Sequence, residues 1–313
     1  MTVKEQKVKI TRKNRIREGT LAGNIFVYFI VALMCFVALY PMYYVLIISL
    51  SDPVYASTLR VYVWPKSQSG FYIGAYEKLV TDSNMWRAYL NTIIYTIVPT
   101  ALMMVTCSLG AYPLTSPKLI GRKYYNIFLL IPMYFGGGLI PSFILMTKLG
   151  LYNNMWALII PASFSIWYII LTKTYFQSIP EEMREAAKID GANNYQCLFR
   201  VYMPNAKPIL AVIAIYTLVA RWNSWYDALI YIPDTKLQPL QLYLRRVLIT
   251  NQVDLSSLGT LSAEDMEAMA LKKLSNDQMK YAMIIFTTLP IIFAYPFLQK
   301  YFVNGVMVGS LKG

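Results

Sequence analysis

The chain reads as an all-α membrane protein with six transmembrane helices and a cytoplasmic helix-turn-helix between the fourth and fifth. Three observations lead there. The sequence is 57% hydrophobic and 14% charged over its 313 residues. Its uncharged runs are as long as a bilayer is thick. Lys and Arg outnumber Asp and Glu by 29 to 16 and concentrate in one tail and in short connections.

The spans follow from the uncharged runs. No charge lies between Gly19 and Ser51, nor within 88–117, 124–147, 149–172 or 281–299. About 20 apolar residues in a helix cross the ~30 Å hydrocarbon layer. The run at 209–232 qualifies as well, with Arg221 and Asp227 interrupting it. We therefore expect spans at about 22–50, 88–113, 124–147, 155–175, 209–231 and 281–302. Lipid offers backbone amides no partner, so each span must be helical or covered by other protein. The first run is about twice the length of a signal-peptide core and lacks a small-x-small cleavage site, which favours a retained span. Residues 1–21 form a basic tail, 22–303 the six-span domain and 304–313 a second tail.

Orientation follows from Lys and Arg beside the spans. Lys4, Lys7, Lys9, Arg12, Lys13, Arg15 and Arg17 occupy the amino-terminal tail; Lys118, Arg122 and Lys123 lie in the next short loop on that side. The segment at about 178–208 adds Arg184, Lys188, Arg200 and Lys207. With an even number of spans, all of these and both termini are cytoplasmic. The loops at 51–87 and about 233–280 carry nearly balanced charge and are external. The net charge of +13 is then a topology and lipid-headgroup signal, and nucleic acid is not an expected partner. Cys35, Cys107 and Cys197 suggest neither a disulfide framework nor a metal site. The sequence contains no histidine, which removes imidazole catalysis. It contains no Walker A pattern, so ATP-driven work needs a separate nucleotide-binding chain.

The polar segment at about 178–208 has the local chemistry of two helices. Ser178-Ile179-Pro180-Glu181 offers a capping-box pattern with Pro180 in the first turn. Glu181 and Glu182 suit the positive end of a helix dipole. Ala186 and Ala187 are strong helix formers, small enough for a partner to approach closely. Gly191 can take the left-handed conformation that ends a helix. Asn193 or Asn194 caps a second helix that stops at Pro204 and Pro208.

Two features interrupt the spans. Pro132, Gly136-Gly137-Gly138 and Pro141 make an unbroken third helix unfavourable, at about 1 kcal/mol per Gly and about 3 per Pro. Irregular backbone there serves either a hinge or pathway lining, or a short re-entrant loop. Arg221 and Asp227 are expensive in lipid and flank Trp222, Asn223 and Trp225. Together these five suit a translocation path, aromatic and amide groups being fit to stack on sugar rings and bond hydroxyls. The plainer alternative is an interfacial aromatic belt with Arg221 paired to a neighbouring helix. The long 233–280 loop suits contact with an external partner or a surface helix on its own bundle.

Glu185-Ala186-Ala187, three residues, Gly191, nine residues, Val201, one residue, then Met203-Pro204 resembles the EAA loop of bacterial ABC importer permeases. Val201 stands where the pattern has Ile, and Met203 where it has Leu. The stretch Gln299-Lys300-Tyr301-Phe302-Val303-Asn304-Gly305, with Gly309 and Lys312-Gly313, resembles the end of carbohydrate importer permeases of the maltose type. Trp222-Asn223 matches a pair common in that group. The string Phe135-Gly136-Gly137-Gly138-Leu139-Ile140-Pro141 resembles the branch for oligosaccharides and polysaccharide fragments.

The resemblance implies the type I ABC importer permease fold in the bacterial cell membrane, and a non-catalytic subunit. Implied partners are a second, different permease, two ATPase subunits and an external solute-binding protein, with a carbohydrate as cargo. The chain carries no cofactor, and ATP-Mg resides on the ATPase partner. Glu185 would pair with an arginine of the ATPase; Ala186, Ala187 and Gly191 would fit its groove, with Pro204 closing the motif. The rival reading is a secondary transporter of a polar solute, which repeated halves and embedded ionisable groups would favour. The halves of this chain do not resemble one another.

Overall fold

The computed structural model describes residues 21–57, 61, 63–67, 70–250, 274, 278–294 and 296. Both expected tails, most of the external loop after residue 250, and the end of the sixth span lie outside the described residues. Among the described residues every regular element is helical.

The first helix, α1 (Leu21–Ser49), is apolar around its circumference and exposed along most of its length, burying only Ile47, Ile48 and Ser49. Its last turn is tied down: the Ser49 hydroxyl meets the Tyr76 hydroxyl at 2.7 Å, and the Ser51 hydroxyl donates to Ile47 O at 2.7 Å. Tyr76 belongs to a short helix, Gly74–Thr81, which leads into the central element of the molecule.

That element is α2 (Ser83–Thr115), 33 residues long. Asp82 caps it, its carboxylate accepting from Asn84 N at 2.9 Å. Along its carboxyl-terminal half Met103, Cys107, Ala111 and Leu114 pack with Ile169 and Phe176 of α5 (Ile166–Phe176) and with Leu210 and Ile213 of α8 (Lys207–Trp222). Gly110 permits the closeness of α5, since a Cβ there would stand 3.2 Å from Ile169 Cδ1. The amino-terminal half of α2 packs through Met85 and Ala88 against Trp222, Leu240 and α11 (Gln278–Ala294), which supplies Ala282 and Met283.

The expected third span is broken as its composition suggests. The helix α3 (Arg122–Tyr134) and the helix α4 (Leu139–Lys148) meet at 111°. Gly138 sits at φ 84°, ψ 176°, a region essentially restricted to glycine. The 13 residues of α3 reach about 20 Å at 1.5 Å per residue, short of the ~30 Å layer. The fifth span is also segmented: α8 ends at Trp222, and α9 (Tyr226–Tyr231) begins after a three-residue break. By length and composition α1, α2 and the stretch Trp156–Phe176 are each able to cross a membrane alone, and up to five crossings arise if each bent pair counts as one.

On the expected outer side, α2 pins the chain that follows α9. Asn91 Nδ2 donates to Lys236 O at 2.8 Å, Tyr95 Oη to Leu237 O at 2.9 Å, and Leu240 N donates to the Thr92 hydroxyl at 2.7 Å. These bonds start α10 (Leu240–Thr250) firmly against the bundle.

Candidate functional site

The helix-turn-helix is present in the expected place. Its first helix, α6 (Glu181–Ile189), opens with Glu181 and Glu182 in the first turn. The expected capping box at Ser178 does not form. Pro180 occupies the cap position, and the Ser178 hydroxyl donates backwards to Tyr175 O at 2.7 Å, closing the end of α5 instead. The far end behaves as expected. Gly191 adopts φ 82°, Gly191 N donates to Lys188 O at 3.0 Å, and Ala192 N donates to Ala187 O at 2.9 Å. Those two bonds make a Schellman closure, which satisfies carbonyls that the helix end would leave open.

The second helix, α7 (Asn194–Asn205), begins with a reciprocal capping box: Gln196 N donates to Asn193 Oδ1 and Asn193 N to Gln196 Oε1, both at 2.8 Å. Between Cys197 and Tyr202 it widens into a π-helix. Met203 closes this segment and Pro204 is the next residue, whose missing N–H would leave the Arg200 carbonyl open in an α register. Ala206 then turns the chain by 79° into α8.

The two faces of α6 differ. Glu185, Ala186 and Gly191 are exposed, Ile189 is 86% exposed, and Ala187 is half-buried. Among the described residues Glu185 has no ion-pair partner. A cleft of about 580 Å³ separates this face from the end of α2 and contains Lys118, Glu185, Lys188 and Tyr195. Arg184, beside Glu185 in sequence, is 7% exposed, the one buried ionic side chain among the described residues. It bonds Glu181 one turn back and lines the cavities on both sides of it, with Tyr112 on one and Phe176 and Tyr202 on the other. Burial raises the Tyr202 pKa, and the Arg184 charge opposes that rise. Sequence reasoning missed Arg184. Its signals were a long aliphatic stem able to snorkel and an acidic residue three positions earlier.

The five residues around the fifth span divide into two groups. Arg221 and Asp227 face one cavity of about 580 Å³, with Nη1 and Oδ2 3.8 Å apart. Ser142, Ser165, Tyr168 and Tyr231 contribute hydroxyls to its wall. The other three hold the break between α8 and α9. Trp222 is 8% exposed and turned into the bundle; its indole N–H donates to Thr287 O at 3.2 Å and its ring meets Tyr89 edge-on at 5.7 Å. The Trp225 ring lies 3.6 Å beneath the Arg245 guanidinium. Asn223 donates to Val219 O at 2.9 Å, closing the end of α8.

Long and broken apolar helices around a polar hairpin make up a multi-pass membrane protein. The chain belongs to the family of binding-protein-dependent transport system inner membrane components, which it matches over residues 104–308. It is 33% identical over 246 residues to the polygalacturonan/rhamnogalacturonan transport system permease protein YtcP of Bacillus subtilis (strain 168), covering 78% of this chain and 82% of that one. It is 32% identical over 277 residues to protein LplC of the same organism, covering 88% and 90%. Its fold superposes with a TM-score of 0.80 and 31% identity on a bacterial ABC transporter involved in the import of the acidic polysaccharide alginate, covering 91% of this chain and 99% of that one. The fold is thus that of an ABC importer permease.

Proposed function

We propose that this chain is the membrane subunit through which an ATP-driven importer moves a carbohydrate, an oligosaccharide, into the cytoplasm. It pairs with a different permease above two ATPase subunits, and an external binding protein delivers the cargo. Nucleotide and its magnesium belong to the ATPase partners. Both termini and the hairpin α6–α7 face the cytoplasm, where the hairpin docks in a groove of the ATPase.

One observation carries this reading. The hairpin is closed by its own caps, yet it presents an unpaired acid, a small residue and an open glycine outward: Glu185, Ala186 and Gly191. At Gly191 a Cβ would meet nothing of this chain within 4 Å; the left-handed φ of 82° already calls for glycine, and the space beside it is open to a partner. The carbohydrate assignment leans on relatives whose named cargoes are polygalacturonan and alginate.

The test is to purify the complex from membranes and measure cargo uptake in vesicles with and without ATP. Co-purification of an ATPase and an absolute ATP requirement are expected. Gly191→Pro should leave ATP hydrolysis in the complex but abolish uptake. Normal transport by that variant would rule out the docking role.

A further inference from the structure

We propose that the Arg221 cavity is a subsite for a carboxylate group on the transported saccharide, with Asp227 as the counter-ion that the cargo displaces. The inference rests on the carbohydrate reading and names the chemical class of the sugar.

The framework is pinned before any cargo arrives. Asn223 closes α8, Trp222 is bonded to Thr287 O, and Arg245 covers Trp225. The three-residue break between α8 and α9 is therefore held from three sides. It turns Arg221, at the end of one helix, and Asp227, at the start of the next, towards the same space. The volume of about 580 Å³ falls within the ~300–1,000 Å³ usual for small-molecule sites.

The pair itself is loose. At 3.8 Å the two charges attract each other but lie beyond the ~3.2 Å limit of a hydrogen bond. Among the described residues no other acceptor meets the guanidinium. Arg221 cannot shed its charge, and its planar fork of donors fits a two-oxygen anion better than a lone hydroxyl. A bare guanidinium at membrane depth is costly, so an empty cavity needs a resident anion. Asp227 supplies it without saturating the fork. Its side chain is 48% exposed, against 30% for Arg221, and it heads a helix of six residues. Asp227 is the partner free to yield. A sugar carboxylate then takes the fork, with Ser142, Ser165 and Tyr168 on the wall beside it.

The experiment compares two forms of one oligosaccharide: an oligogalacturonide and the same oligomer with its carboxyls reduced to alcohols. Uptake of each is measured in vesicles holding the whole complex. Wild type should favour the acidic form. Arg221→Gln should lower the acidic-to-reduced uptake ratio at least tenfold, Arg221→Lys should retain part of it, and Asp227→Asn should raise it. Co-purification of all subunits confirms that each variant assembles. Equal losses for both forms in Arg221→Gln, or preference of the wild type for the reduced form, would overturn this assignment and leave carbohydrate import standing. Uptake of neither form, nor of any other saccharide, would sink the carbohydrate reading and this inference with it.

Discussion

At the scale of single residues, the two positions proposed above for docking behave oppositely towards their own fold. Gly191 is held at φ 82° by the Schellman bonds, so any L-residue there carries left-handed strain of about 1–2 kcal/mol. Gly191→Ala should lower the thermal stability of the complex slightly and cut cargo moved per ATP much more. A large stability loss with unchanged stoichiometry would assign the glycine to folding alone. Glu185 is exposed and unpaired in this chain. Glu185→Ala should leave the isolated subunit within ~0.5 kcal/mol of wild type, as surface changes usually do. It should weaken ATPase retention strongly, because an interface charge stripped of its partner costs about 3–5 kcal/mol. Retention is read from subunit ratios after salt washing, and an unchanged ratio would count against the ion pair. The left-handed helix end at Gly191 was legible in the sequence because backbone chemistry is local. Arg184 was not, since its burial depends on Phe176 and Tyr202, which reach it only after the chain has turned through α6 and α7.

At the scale of elements, Arg184 is a buried charge where α6 meets the bundle. A buried guanidinium needs its charge and donors met, and Glu181 meets part of that need. Its position between the end of α2 and the Phe176–Tyr202 pair, whose rings lie 5.3 Å apart, ties α6 to the bundle. Arg184→Met keeps the packing volume but not the charge. It should preserve assembly while lowering cargo moved per ATP several-fold, and Arg184→Lys should restore part of the ratio. Equal stoichiometry in all three proteins would reduce Arg184 to a packing residue. The broken third span was also legible, because three consecutive glycines between two prolines are hostile to a helix whatever surrounds them. The angle of 111° was not, being set by packing. Gly138→Ala should destabilise the complex by about 1–3 kcal/mol through its glycine-only backbone conformation, measured as a fall in unfolding temperature. The Ser178 cap failed as an expectation for a local reason: the helix starts at Glu181 with Pro180 in the cap position, which leaves Ser178 two residues too early to cap it.

At the scale of the whole molecule, α1 does not take part in the core that the other helices share. From Gly23 to Met42 every side chain is exposed, and only the last turn is buried. Its apolar character all round suits a helix covered on every side, and lipid or another polypeptide must do the covering. Lipid gives no directional preference between the two, since hydrocarbon is as apolar as the helix. A helix that, among the described residues, buries only its last turn gains, however, from a partner that fixes its angle. In the assembly proposed above, that partner is the second permease. The chain expressed alone should therefore be turned over faster in membranes than when its partner permease is co-expressed, by several-fold in pulse-chase half-life. Cysteine pairs placed along α1, such as one at Phe36, should cross-link to the partner chain and not to α2 of the same chain. Equal half-lives with no inter-chain cross-link would mean that α1 stands in lipid, and that the permease interface is built from the bundle alone.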